Sequence, residues 1–248
     1  MEHWTKPVVG VLGGLGPAAT VTFLDLLVRL TEADKDQDHV DAVVLQHSSV
    51  PDRTQAILHG APSPGPVLAR DAQLLEQMGV DFVVLPCNSA HAFIDEIAEG
   101  LSVDVLSIVG LSAGQAVETA ASRADDPGPH TIGVFATEGT IAAQTYEKAV
   151  RERGARAWIP PGDMQADITT IIYDQVKGGR PVDVELLTRL VDRALAEGCD
   201  AVLFGCTELS IVYAEVEDLS ERWEVVDSLE TLAVATIERA GRHVRVWD

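Results

Sequence analysis

Cys87 and Cys206 are the residues of this chain best placed to do acid–base chemistry. Gly79-Val80-Asp81-Phe82-Val83-Val84-Leu85-Pro86-Cys87 reappears as Gly198-Cys199-Asp200-Ala201-Val202-Leu203-Phe204-Gly205-Cys206, in register at an offset of 119 residues. Each cysteine closes an apolar, strand-like run, and the polar pairs that follow, Asn88-Ser89 and Thr207-Glu208, suit the start of a helix. In an α/β sheet that carboxyl edge is where ligands bind. A helix N-terminus also favours anions and draws a thiol down from its ordinary pKa of ~8.5, which makes some thiolate available near neutral pH. A single cysteine reads most simply as a small buried hydrophobe. Two in register, each followed by a polar cap, argue for a pair of thiols that face each other across one pocket. Cys199 lacks this setting, its counterpart in the other copy is Val80, and it reads as core.

Other candidates lie at similar edges. Arg53, in Ser48-Ser49-Val50-Pro51-Asp52-Arg53-Thr54, could clamp a carboxylate through two nitrogens or simply decorate a turn. Lys177, in Val176-Lys177-Gly178-Gly179-Arg180, is expected in a loop after a helix, as a second cation or as an ordinary charge at a helix C-terminus. Gly13-Gly14-Leu15-Gly16-Pro17-Ala18-Ala19 contains the spacing of a dinucleotide-binding turn. That reading requires an acid at the end of the second strand, where Gln46-His47 stand instead, so a turn that brings backbone N–H groups to a small anion fits better. Thr137-Glu138-Gly139-Thr140 occupies the same place in the second copy and adds hydroxyls. His91, one helical turn beyond Cys87, reads equally as a base, a tuning group or a packing residue, and His47 is similarly open. Cysteine and histidine show no metal-ligand spacing.

The elements that must carry these residues alternate along the chain. Apolar, β-branched runs at 8–12, 42–46, 82–85, 103–106, 132–135, 201–204 and 225–226 predict strands buried on both faces, as in a parallel sheet. Segments 67–78, 113–123, 140–153, 184–197 and 229–240 predict helices. Gly10-Val11-Leu12 with Gly16 matches Gly133-Val134-Phe135 with Gly139, and Asp104-Val105-Leu106-Ser107 matches Glu224-Val225-Val226-Asp227 at nearly the same offset. The expectation is an α/β protein of two pseudosymmetric domains, each a parallel sheet flanked by helices, with the active site at their interface. Residues 1–108 plus 226–248 would form the first half and 109–225 the second, with 122–130 the clearest break and the proline-rich 61–66 a rigid loop.

Composition narrows the class. A net charge of -21 disfavours nucleic acid and anionic membrane surfaces as partners. Three cysteines in 248 residues do not make a secreted disulfide framework. The opening residues Met1–Pro7 show no leader pattern and no apolar run nears the ~20 residues of a membrane helix. A reducing cytoplasm is the expected location.

The motifs Gly13-Gly14-Leu15-Gly16-Pro17, Pro51-Asp52-Arg53-Thr54, Pro86-Cys87-Asn88-Ser89-Ala90-His91, Thr137-Glu138-Gly139-Thr140 and Gly205-Cys206-Thr207-Glu208 span nearly the whole chain. In that order they resemble the aspartate/glutamate racemase family, the aspartate racemase branch in particular. The resemblance implies two α/β halves with the site between them, no cofactor or metal, and a homodimer. It implies Cys87 and Cys206 as the two acid/base residues. Gly14, Leu15 and Thr140 would line the site, and Asn88, Ser89 and Thr207 would hold the substrate's amino and carboxylate groups. Arg53 and Lys177 would take a side-chain carboxylate, and Glu208 suits the aspartate branch. That branch commonly carries asparagines where Gln46-His47 stand here, which leaves substrate identity open between aspartate, glutamate and a broader set.

The implied reaction is racemisation without pyridoxal phosphate, in which one thiolate removes the Cα proton and the other thiol returns one to the opposite face. With only four lysines, and Lys177 alone near a candidate site, a Schiff-base mechanism is disfavoured. Sister carbon-acid chemistry of the maleate isomerase or arylmalonate decarboxylase type, a non-catalytic amino acid sensor and a thiol–disulfide protein are the competing readings.

Overall fold

The computed structural model describes residues 4–123, 128–215 and 225–246. The centre of the expected break at 122–130, Glu224 of the repeated stretch and the residues 1–3 read for a leader lie outside them. Two units divide the chain, one of Met1–Ala56, Gly60–Ile108 and Leu229–Asp248, the other of Ile57–His59 and Val109–Ser228.

The strands are β1 (Val8–Gly13), β2 (Asp41–Gln46), β3 (Phe82–Val84), β4 (Asp104–Leu106), β5 (Thr131–Phe135), β6 (Arg156–Trp158), β7 (Ala201–Phe204) and β8 (Val225–Asp227). The first unit holds a parallel sheet in the order β2-β1-β3-β4, and the second a parallel sheet in the order β6-β5-β7-β8. The two orders are the same, one strand set shifted by four, which is the internal repeat expressed as topology. Every residue of β1 and of β7 is buried, whereas β2, at the edge of its sheet, alternates. The apolar run at 42–46 was expected to be buried on both faces, but at the sheet edge one face of β2 stays open and Val44 is 40% exposed. The link between a continuous apolar run and a strand enclosed on both faces thus holds for the interior strands and fails at this edge.

The helices among the described residues are α1 (Pro17–Leu30), α2 (Arg53–His59), α3 (Gly65–Gln77), α4 (Ile94–Ala98), α5 (Ile108–Arg123), α6 (Glu138–Ala142), α7 (Thr145–Arg151), α8 (Gly162–Thr169), α9 (Val184–Ala196), α10 (Thr207–Glu215) and α11 (Ser228–Arg239). A π-helical segment, Thr170–Lys177, continues α8. None is long and apolar enough to cross a membrane.

The repeated Gly-x-Asp motif proves to be architectural. Gly79 and Gly198 take left-handed φ values of 84° and 95°, turns that side chains oppose, and each leads out of a helix into a central strand. Two residues later Asp81 Oδ2 accepts the Val8 amide at 2.7 Å and Asp200 Oδ2 accepts the Thr131 amide at 2.7 Å. Each aspartate therefore fastens the start of β1 or β5, and so sets where that strand, its neighbour and the cysteine beyond will end. Core packing completes the placement. Leu68, Ala72 and Leu75 of α3 pack with Val8, Leu12, Val83 and Leu85, while Leu187, Leu190, Val191 and Ala194 of α9 pack with Phe135, Val202 and Phe204. Each fully buried leucine stabilises by about 1.5–3 kcal/mol.

Several expectations change. The helix expected at 140–153 is interrupted: Gln144 sits at φ 55°, in the left-handed region, and splits it into α6 and α7. β6 was not anticipated. β8 pairs with β7 in the second unit, whose last residue is Ser228 rather than 225. Lys177 is the last residue of the π-helical segment, not part of a loop.

Candidate active site

In the first unit, Leu15 organises the cluster. Its carbonyl, in the turn after β1, accepts the Cys87 thiol at 3.3 Å and the Arg53 Nη2–H at 2.7 Å. Cys87, 3% exposed, leaves β3 through a tight turn in which its amide bonds to Leu85 O at 2.7 Å, and Ser89 Oγ lies 3.6 Å from the sulfur. Arg53 opens α2 because Asp52 is the N-cap, its carboxylate accepting the Gln55 amide at 2.7 Å. A second guanidinium N–H, on Nη1, donates to Pro51 O at 3.3 Å, and the buried Nε–H has no partner among the described residues. Arg53 is thus held by carbonyls, and no described carboxylate lies within ion-pair distance of its charge.

The glycine turn is tightly specified. Gly14 has φ +95°, and a Cβ there would lie 2.6 Å from the His47 carbonyl carbon. Its amide, however, donates to Thr20 Oγ1 at 2.9 Å, so the N–H expected to meet an anion is already engaged inside the turn. His47 follows β2, and its Nδ1–H donates to Asp71 Oδ2 at 2.7 Å on α3, where Asp71 is 7% exposed. Asn88 is buried, and its side chain does not cap the short 3₁₀ turn Ser89–Phe93 that follows.

In the second unit a carboxylate takes the central place. Glu208, 6% exposed near the start of α10, accepts the Cys206 thiol on Oε2 at 3.0 Å and lies 3.4 Å through Oε1 from Lys177 Nζ. Thr207 Oγ1 is 3.5 Å from the same Oε2. The ammonium of Lys177 also sits 4.6 Å from the centre of the Tyr173 ring, so the π-helical segment delivers both partners from one turn. Burial, and next the Glu208 carboxylate, push the Cys206 thiol well above its ordinary range, while Lys177 pulls the other way. This corrects the expectation of a lowered thiol at that helix start: desolvation and an adjacent negative charge outweigh the N-terminal field. Thr140 is buried on α6, its amide bonded to Thr137 Oγ1 at 3.2 Å and its hydroxyl 3.0 Å from the same oxygen. Cys199 packs in the core with its thiol pushed up to about 12, by burial first.

Each unit thus carries a buried thiol just beyond its third strand, on a carbonyl shared with Arg53 in the first and on a carboxylate shared with Lys177 in the second. A family model described as Asp/Glu/Hydantoin racemase matches residues 12–236. The chain belongs to that family. Among curated relatives, the broad specificity amino-acid racemase RacX of Bacillus subtilis (strain 168) is 25% identical over 234 residues, covering 93% of this chain and 96% of that protein. The Picrophilus torridus aspartate racemase structure superposes with a TM-score of 0.79 at 27% identity, over 96% of each chain. An aspartate racemase homologue from Pyrococcus horikoshii OT3, PH1733, has a TM-score of 0.74 at 21% identity over 96% of this chain and all of that one, a likeness of fold.

Within this racemase-family fold the sequence candidates fall into local groups. Cys87 and Arg53 meet on the Leu15 carbonyl, with Ser89 beside the Cys87 sulfur, and Cys206, Thr207 and Lys177 meet on the Glu208 carboxylate. Asp71 was not singled out from the sequence. Its signal was available: it is the one acid on the face of α3 that carries Leu68, Ala72 and Leu75. Tyr146, fully buried with its hydroxyl 3.0 Å from Ser112 Oγ, was likewise passed over inside an apolar helix pattern.

Proposed function

We propose that the chain is a cofactor-independent amino acid racemase in which Cys87 and Cys206 act in turn on the Cα of one substrate, aspartate first among its substrates. The observation that carries this reading is the matched pair of environments: a strand-end thiol donating to an oxygen, with a cation on that same oxygen or carboxylate, once in each repeat. Membership of the family and the likeness to an aspartate racemase over nearly the full chain support it.

In the proposed reaction a thiolate takes the Cα proton, the C–H electron pair passes into the carboxylate as an enediolate-like anion, and the opposing thiol delivers a proton to the other face. The thiolate that took the proton ends as a thiol and the cysteine that delivered one ends as the thiolate, so each turnover leaves the enzyme ready for the other enantiomer. In the direction that starts from a Cys87 thiolate, Cys206, held protonated on Glu208, is the proton donor and becomes the thiolate after delivery. Arg53, with an unspent buried N–H, is suited to a substrate carboxylate, and Ser89, Asn88, Thr207 and Thr140 would supply further donors as charge develops. Gly14 shapes the turn that presents Leu15.

A broad amino acid specificity is the second reading. Lys177, the other cation expected to hold a side-chain carboxylate, is already paired with Glu208, and RacX is named for broad specificity. The family resemblance supports a homodimer, which light scattering would test. Proton NMR in deuterated water separates the functional readings. Loss of the Cα–H signal from both L- and D-aspartate, with inversion on chiral analysis, is expected. Exchange confined to other amino acids would move the substrate to the second reading, and binding without exchange of any amino acid would leave a sensor.

A further inference from the structure

His91 is a buried titratable group that the proposed reaction leaves unused. It is 4% exposed, and its Nδ1 lies 3.0 Å from the Cys87 carbonyl oxygen. A carbonyl only accepts, so Nδ1 carries the proton and Nε2 carries the lone pair. The Nε2 atom is itself buried and has no partner among the described residues. A histidine that worked as a base would need a proton path at Nε2 and would gain from a polar neighbour there. Burial instead lowers its pKa to about 4, with the Cys87 carbonyl acting weakly in the opposite direction, so the ring stays neutral through the ordinary pH range.

The backbone explains why this bond matters. In an α-helix the amide of residue 91 would take the carbonyl of residue 87. Here the turn is 3₁₀, and the His91 amide bonds to Asn88 O at 3.1 Å. The side chain supplies the donor that the tighter turn withdrew from Cys87. At its other end the Cys87 peptide is fixed by the amide bond to Leu85 O, so the residue bearing the thiol is clamped on both sides.

We propose that His91 is a positioning residue for Cys87: as a neutral Nδ1–H imidazole it locks the Cys87 carbonyl, keeps the thiol directed at the Leu15 carbonyl and Ser89, and exchanges no proton in the reaction. The inference rests on the reading of Cys87 as a reacting thiol. Replacement is then expected to lower turnover through geometry, without moving a pH limb.

The test compares H91L, which has no donor, with H91N, whose amide N–H can reach the same carbonyl. H91L is expected to lose about tenfold or more in kcat with KM within about threefold, and H91N to recover most of it. Both variants are first checked for a cooperative thermal transition. On the wild type, ¹⁵N NMR is expected to show a persistent Nδ1–H tautomer between pH 5 and 8. A ring that titrates near pH 6.5 with activity following it would overturn the proposal, as would H91L with wild-type kcat or folded H91N as impaired as H91L. The NMR arm needs no turnover. A wild-type protein that racemises no amino acid yet shows the fixed tautomer would defeat the functional reading while leaving the His91–Cys87 geometry standing.

Discussion

Replacing Glu208 by glutamine isolates what holds the Cys206 proton. The substitution keeps the shape and one acceptor oxygen but removes the negative charge 3.0 Å from the sulfur and leaves Lys177 without its partner at 3.4 Å. Both changes favour thiolate: the carboxylate raised the thiol's pKa and the ammonium lowered it. A hydrogen bond to a charged group contributes about 1.5–3 kcal/mol, roughly ten- to hundredfold in the protonation equilibrium. In E208Q the alkylation of Cys206 by iodoacetamide at pH 7.5, followed by peptide mass spectrometry, should therefore accelerate about ten- to hundredfold. Cys206 is 4% exposed and the substitution is nearly isosteric, so the ratio of the two rates reports thiolate rather than access. Racemisation should fall at the same time in the direction that draws its proton from Cys206, because that thiol is no longer held protonated. Alkylation of Cys206 in E208Q at or below the wild-type rate would refute the assignment of Glu208 as the group that keeps this thiol protonated.

Two further outcomes follow from the same geometry. Arg53→Lys keeps the charge but loses the planar fork that bridges Leu15 and Pro51, and it should raise KM for aspartate about tenfold or more while the thermal midpoint moves little; steady-state kinetics in both directions decide it. Cys199→Ala should cost about 1 kcal/mol of stability in denaturant unfolding and leave kcat within twofold, and in the wild type Cys199 should resist alkylation below pH 9, its thiol being pushed up to about 12.

How much of this was legible in the sequence depended on burial. β1, β3, β5 and β7 announced themselves as apolar runs because they are enclosed on both faces, and the repeated Gly-x-Asp-to-Cys motif located the two strand ends that matter. β6 escaped because it is a three-residue edge strand opening on Arg156, with nothing to distinguish it from a loop. The break at Gln144 left no mark, since no glycine or proline signals its left-handed backbone. Among the site candidates, residue type and edge position were readable, whereas partnerships were not. Spacing places Lys177 far from Glu208 and Arg53 far from Leu15, and only the paired strands and the helix packing bring each couple within hydrogen-bonding reach. The same holds for the thiol of Cys206. The helix start is visible in the sequence and favours thiolate, but the buried carboxylate that reverses the balance depends on the rotamer of Glu208, which no pattern encodes.

The two-thiol mechanism is tested most directly by racemisation with C87S and C206S, each assayed from L- and from D-aspartate. Each single variant should lose at least about a hundredfold in turnover in both directions, because general acid–base catalysis by a positioned group contributes about 10²–10⁴ and inversion needs both groups. Near-wild-type racemisation by either variant would contradict the account.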